Sequence, residues 1–302
     1  MKIRNGVREM RIVVTGASGR IGREVVRELA AHDYEVVATD RVRAAAPLPA
    51  GVAFVEADTT DFGAVVGVLT YRGTKPDAVI HLAAIPSPTG HAPEVVFATN
   101  VLSTYHIVEA IATLGIPKLI DTSSINWLGM DFAYRPWWPS YLPVDEHHPH
   151  QAQDPYALSK YIGEQAAEML HNRAGTEVIS IRPPFVVVVE NWPTVVQRVH
   201  ERPLSFAKTI WSYIDVRDLA VAYRKALETH ITGHESFFVV ADDAIATVPI
   251  AELAPQVDAE LGKRAQALTG TQSGVSNAKA KQMLGWQPER SWRDFDHGQN
   301  HQ

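Results

Sequence analysis

Short aliphatic and β-branched runs recur along the chain at 12–14, 35–40, 53–58, 78–82, 118–122 and 177–181. Between them the apolar residues take a helical period. Ile21, Val25, Val26 and Leu29 share one face, and comparable stretches occupy 60–71, 93–114 and 154–173. Runs and stripes alternating in this way predict an α/β fold, a doubly wound parallel sheet with helices on both faces. From Arg182 the rhythm loosens, because Pro183, Pro184, Pro193 and Pro203 cut it into short pieces. A helix is expected again at 216–229, a strand at 237–240 and a last helix at 278–284. The expected organisation is a sheet domain over 1–181, with 214–242 returning to it, and a small lobe from 182–213 and 243–302. The polar tail from Asp296 onward is expected to fray.

Composition narrows the reading. With 302 residues, 46% apolar and 21% charged, the chain has material for a large core. Its net charge of −6, without a basic block, argues against a nucleic-acid partner. The absence of cysteine excludes disulfides, thiol catalysis and cysteine zinc sites, and points to a reducing cytoplasm. No uninterrupted apolar run approaches a membrane span, and the residues before Met10 carry no secretory-type apolar segment. The expectation is a cytoplasmic protein without a membrane partner, with Met10 an alternative start.

The first run gives way to a helix through Gly16, Ser18, Gly19, Arg20, Ile21 and Gly22. Glycines permit a tight turn and a close backbone approach, and free N–H groups at a helix start attract a pyrophosphate. Such a triplet between strand and helix is where a dinucleotide site requires it. Asp40 closes the second run. A carboxylate there accepts from both ribose hydroxyls of NAD and repels a 2′-phosphate, whereas the adjacent Arg41 and Arg43 are of the type that accommodates one. Asp58, with Thr59 beside it, is placed either to meet the adenine or to form a plain turn.

Tyr156 and Lys160 stand four residues apart on a helical stretch and so share a face. An ammonium beside a phenol favours the phenolate and is expected to lower the tyrosine pKa. A phenol so tuned exchanges a proton with a hydroxyl while a cofactor exchanges a hydride. The fifth run ends in Thr122, Ser123 and Ser124, and a hydroxyl at the carboxyl end of a strand faces the ligand crevice of such sheets.

On these residues the chain resembles the extended short-chain dehydrogenase/reductases of the NAD-dependent epimerase/dehydratase group, whose fold is Rossmann-type. The resemblance runs from Thr15–Gly22 through His81-Leu82-Ala83-Ala84, Thr99-Asn100-Val101, Tyr156–Lys160, Ile181-Arg182-Pro183 and Tyr213–Ala220 to Leu284–Pro288. It implies NAD as cofactor, Tyr156 as acid/base, Lys160 as its partner and ribose ligand, and Ser124 as donor to the substrate oxygen. It further implies cofactor contacts from Leu82, Ala83, Ala84, Asn100 and Pro183, and structural roles for Asp215 and Asp218. Ser87, Asn126, Trp127 and Phe185 join Ser124 as substrate candidates. The helices at 93–114 and 154–173 take the family's usual place in a homodimer.

Two departures bear on the substrate. Phe185 stands where nucleotide-sugar enzymes of the group carry asparagine, and 267–274 lacks their Arg-x-Gly-Asp segment. Both remove groups expected to hold a diphosphate, and Ser123 to Gly129 is similar to the corresponding part of uronate dehydrogenases. Three arginines, Arg198, Arg202 and Arg264, remain as an unconventional phosphate clamp. His147, His148 and His150 are read as a solvated loop and not as a metal site. Trp127, Trp137, Trp138 and Tyr141 either face a sugar or pack within their loop. The expected activity is NAD-dependent hydride transfer to or from a small sugar-like alcohol or ketone. Its rivals are a nucleotide-sugar 4-epimerase or dehydratase and, more remotely, a nucleotide-sensing regulator.

Overall fold

A computed structural model describes residues 10–296, together with the backbone of two short paired strands, Ile3–Arg4 and Val7–Arg8. The expected frayed tail at 297–302 and the residues before Met10 lie outside the fully described residues. Seven parallel strands make the main sheet: β1 (Arg11–Thr15), β2 (Glu35–Asp40), β3 (Ala53–Glu56), β4 (Ala78–His81), β5 (Lys118–Thr122), β6 (Glu177–Arg182) and β9 (His234–Phe238). Their order is β3-β2-β1-β4-β5-β6-β9, reversing direction about β1, where a crevice opens at the carboxyl ends.

Strand side chains alternate between two apolar layers. Ile12, Val14, Ile80 and Ile120 pack under α1 (Arg20–Ala31), α6 (Val216–Glu228) and α9 (Ala278–Leu284). Val13, Val37, Val79 and Leu119 pack under α2 (Phe62–Leu69), α3 (Pro93–Leu114) and α4 (Pro155–Ala174). A third core belongs to the lobe, in which β7 (Phe185–Val187) pairs in parallel with β8 (Tyr213–Asp215). It is completed by α5 (Trp192–Glu201), α7 (Ile250–Val257) and α8 (Ala259–Ala265).

Three expectations need correction. The strand placed at 237–240 runs from His234 to Phe238, because pairing with β6 fixes it, and Ser180 Oγ meets His234 Nε2 at 2.8 Å. The helix at 60–71 is shorter, starting after Asp61, whose side chain accepts from Ala64 N. The segment 93–114 does have the length and mean hydropathy, 1.3, of a membrane span. In the fold it is a core helix, with Val96, Ile107, Val108 and Ile111 buried.

Candidate active site

Backbone geometry builds the crevice. Gly16 has φ +65°, and a Cβ on it would stand 2.7 Å from Ala83 N, so only glycine lets the turn after β1 press against the turn after β4. Thr15 Oγ1 ties those turns by accepting from Leu82 N at 3.1 Å and Ala83 N at 3.2 Å. Gly22 serves packing: a Cβ there would fall 2.1 Å from Gly16 O. Helix α1 starts at Gly19 with no side-chain cap and no acidic residue in its first turn, so the positive end of its dipole faces the crevice uncompensated.

Of the expected cofactor residues, the crevice is lined by Gly16, Gly19, Asp40, Arg41, Asp58, Thr59, Leu82, Ala83 and Ala84. The Asp40 carboxylate accepts from Ser18 N at 3.0 Å and Arg41 N at 2.7 Å, locking the end of β2 to the glycine turn. Burial raises the Asp58 carboxyl, but hydrogen bonds from Thr60 N and Oγ1 outweigh it and hold the group below its ordinary range. Ser18, Arg20, Ile21 and Gly22 do not line the crevice wall. Asn100 also lies behind it, buried, accepting from Ile85 N at 2.7 Å and donating to Ile85 O at 3.1 Å. It shapes the turn after β4 from the rear. Ala57, Ile85, Thr99 and Ser103 line the crevice and escaped the sequence reading. The signal for the last two was a pair of hydroxyl residues four apart on one helix face.

At the next strand edge, Ser124 Oγ accepts from Asn126 N at 3.0 Å and lies near enough to the Tyr156 phenol to lower its pKa. Tyr156 sits in the first turn of α4, which Asp154 caps by accepting from Tyr156 N and Ala157 N, both at 2.9 Å. Lys160 Nζ donates to Thr122 O at 2.7 Å and lies 5.7 Å from the phenol ring centre. Serine, tyrosine and lysine are thus brought together. The expected depression of the tyrosine pKa is not found. Burial pushes the phenol up to about 12, with the Asp154 and Asp131 carboxylates adding to the rise against the lowering by Ser124. The Lys160 ammonium is turned to the Thr122 carbonyl and does not appear among the influences on the phenol.

The substrate candidates separate. Pro183 O accepts from Ile125 N at 2.8 Å and so anchors the loop after β5. Trp127 is turned into the lobe core, its ring 3.7 Å from the Arg182 guanidinium, and Asn126 is buried with its amide on Asp154 and on Asp131 N. Both serve the loop and do not present a face to the crevice. Ser87 bonds Thr89 in the turn after β4 at 2.8 Å, and Phe185 tilts against Phe206 at 5.9 Å between ring centres. The histidines are not solvated as a group. His148 is buried, accepting from Ser140 N at 2.9 Å, and His150 stacks on Tyr161 at 3.8 Å.

The cradle therefore fits a dinucleotide: a glycine turn that a Cβ would fill, an uncapped helix start, and a carboxylate at the end of β2. A model of the NAD dependent epimerase/dehydratase family matches residues 12–241. The chain is 30% identical over 175 residues to a putative UDP-glucose 4-epimerase of Methanocaldococcus jannaschii, covering 57% of this chain and 54% of that protein. It is 32% identical over 173 residues to a uronate dehydrogenase of Pseudomonas putida, covering 57% and 59%. These matches span little more than half the length of either relative. A solved structure of a mutated uronate dehydrogenase shares the fold, with a TM-score of 0.67 at 20% identity over 95% of this chain and 84% of that one. The chain belongs to the NAD dependent epimerase/dehydratase family, and NAD is its cofactor.

Proposed function

We propose that the protein is an NAD-dependent oxidoreductase acting on a hydroxyl or carbonyl of a small sugar-like substrate. The observation that carries this reading is the grouping of Ser124, Tyr156 and Lys160, with Tyr156 packed against Ile85 of the crevice wall. When bound, NAD supplies a hydride acceptor or donor. Gly16, Gly19, Asp40 and Arg41 would hold its adenosine and pyrophosphate half. Tyr156 removes or returns the proton of the substrate oxygen, and Ser124 donates to that same oxygen. Lys160, held on the Thr122 carbonyl, would bind the nicotinamide ribose and keep a positive charge at the inner end of the site.

The substrate class rests on the lobe. A diphosphate leaving water needs compensating donors. Phe185 offers none, Arg264 Nη1 donates to the carbonyls of Trp138 and Pro139, and Arg198 is occupied by Ser205 Oγ and O while lying over the Phe206 ring. Two arginines of the conceivable clamp are thus committed to structure. The expected outcome of a screen against sugars, sugar acids and small polyols is net, stoichiometric NADH formation, with no tight binding of UDP. A 4-epimerase is the alternative, favoured by the putative UDP-glucose 4-epimerase relative. It prevails if a UDP- or dTDP-sugar binds at micromolar concentration and interconverts without lasting change in NADH absorbance.

The protein is further read as a cytoplasmic homodimer. Val95, Leu102 and Tyr105 of α3 and Leu158 and Met169 of α4 are exposed apolar residues on adjacent helices. Sedimentation should return twice the chain mass, and Leu102→Glu should shift it to monomer; a monomeric wild type removes this reading. Residues 182–213 and 243–302 are taken as the part that selects substrate.

A further inference from the structure

Beneath the site a row of polar residues crosses the main sheet in register: Thr39, Thr15, His81, Asp121, Ser180 and Ser236. They face the α3/α4 side, where the residues two places earlier in the first five strands of the row, Val37, Val13, Val79, Leu119 and Val178, are apolar. Asp121 is the acid of the row and is 3% exposed. Its Oδ2 lies 4.0 Å from the position a Cβ would take on Gly163, so this turn of α4 lies directly over it. Lys160 and Glu164 flank that glycine on the same helix face, and Lys160 Nζ reaches the carbonyl of Thr122, the residue next to Asp121.

The groups facing Asp121 come from every neighbouring element. β4 brings His81, which burial and the Lys160 charge hold down to about 3, so it is neutral. Its Nδ1 meets Thr15 Oγ1 at 2.8 Å. α3 brings Thr104 and β6 brings Ser180, while the Tyr223 hydroxyl of α6 lies across the sheet, bonded to Thr122 Oγ1 at 2.8 Å. Glu164 from α4 is already engaged by Arg182 of β6, through bonds of 2.8 and 2.6 Å. Asp121 is the remaining carboxylate beside Lys160, which is itself only partly exposed.

We propose that Asp121 is a positioning residue for Lys160, its buried carboxylate supplying the inner counter-charge that keeps Lys160 an ammonium held against the Thr122 carbonyl. The proposal rests on the reading of Lys160 as the partner of Tyr156, and deepens it. Burial pushes the Asp121 carboxyl up, Lys160 pulls it back and Glu164 adds to the rise, leaving it at about 6. A carboxyl raised on folding contributes stability below the ordinary carboxylate range that is lost as pH rises through 6. Removing Lys160 removes the pull, so that loss deepens.

The test is urea unfolding of the full chain at pH 5 and pH 8 for wild type, Asp121→Asn, Lys160→Met and the double variant. At pH 8, Asp121→Asn is expected to lower the unfolding constant roughly tenfold more in the Lys160→Met background than in wild type, where it also strips a part-buried ammonium of its partner. In the Lys160→Met background it should lower that constant, since there it removes an uncompensated buried carboxylate. Should Asp121→Asn fail to fold, wild type against Lys160→Met suffices, because stability must fall more from pH 5 to pH 8 in the variant. An equal effect of Asp121→Asn in both backgrounds, or equal pH dependence in wild type and Lys160→Met, overturns the proposal. In turnover, Asp121→Asn should move the alkaline limb of the kcat profile down by roughly one pH unit or more. A larger effect in the Lys160→Met background without movement of that limb keeps the charge coupling and removes Lys160 from the catalytic reading.

Discussion

Tyr156→Phe is expected to lower kcat by roughly a hundredfold or more, the scale lost with a general acid–base, while NAD binding stays close to wild type. The variant deletes one oxygen and little else. The ring keeps its packing with Ile85, Val96 and Phe132, and the Asp154 cap acts on backbone N–H groups that phenylalanine also carries. Since burial holds the phenol up to about 12, oxidation by wild type should accelerate with pH as the phenolate is populated. The variant should lose that slope. Steady-state kinetics across pH, with calorimetric titration of NAD, separate the two effects. Near-normal turnover in Tyr156→Phe would end the proposed role.

The largest expected loss of stability follows Glu164→Ala. Both partners of the Arg182–Glu164 pair are 4% exposed in their side chains, and Ser236 Oγ adds a third bond to the carboxylate at 3.0 Å. Removing Glu164 leaves a guanidinium buried against Trp127 with no counter-charge, a change that costs about 3–5 kcal/mol. Urea unfolding followed by tryptophan fluorescence measures it. The double replacement Glu164→Leu with Arg182→Met should recover most of the loss, because it removes both charges together. A loss under about 1 kcal/mol in the single variant would show that the pair is not an isolated one.

The sheet and its cofactor edge were legible because their determinants are local. Apolar alternation marks each strand, and Gly16 and Asp40 sit at strand ends whose geometry allows few alternatives. The lobe was less legible. β7 and β8 are three residues each, and their pairing joins Phe185 to Tyr213, a contact no local pattern encodes. The roles of Asn100, Asn126 and Trp127 were misplaced for a related reason. Sequence spacing locates a residue along the chain, whereas whether it faces the crevice or braces it from behind depends on packing across elements. The behaviour of the Tyr156 phenol was misjudged because the lysine's distance was read from helix spacing, while burial and the Thr122 carbonyl decide what the lysine does.

The passage of the chain between its cores has a consequence for how the protein is made. β6 is laid down before the lobe, but its outer neighbour, β9, is translated only after the chain has left the sheet, formed β7 and β8 and returned through α6. Until His234–Phe238 emerges from the ribosome, β6 presents an unpaired edge, the kind of surface that templates association with other chains. Further on, Trp286 enters the core under α1 and α6 while Trp292 enters that of the lobe, so one short segment is stitched into both. Substrate preference in such a molecule changes by replacing side chains in place, since the lobe as a whole cannot be exchanged in one contiguous block without carrying His234–Phe238 of the sheet along.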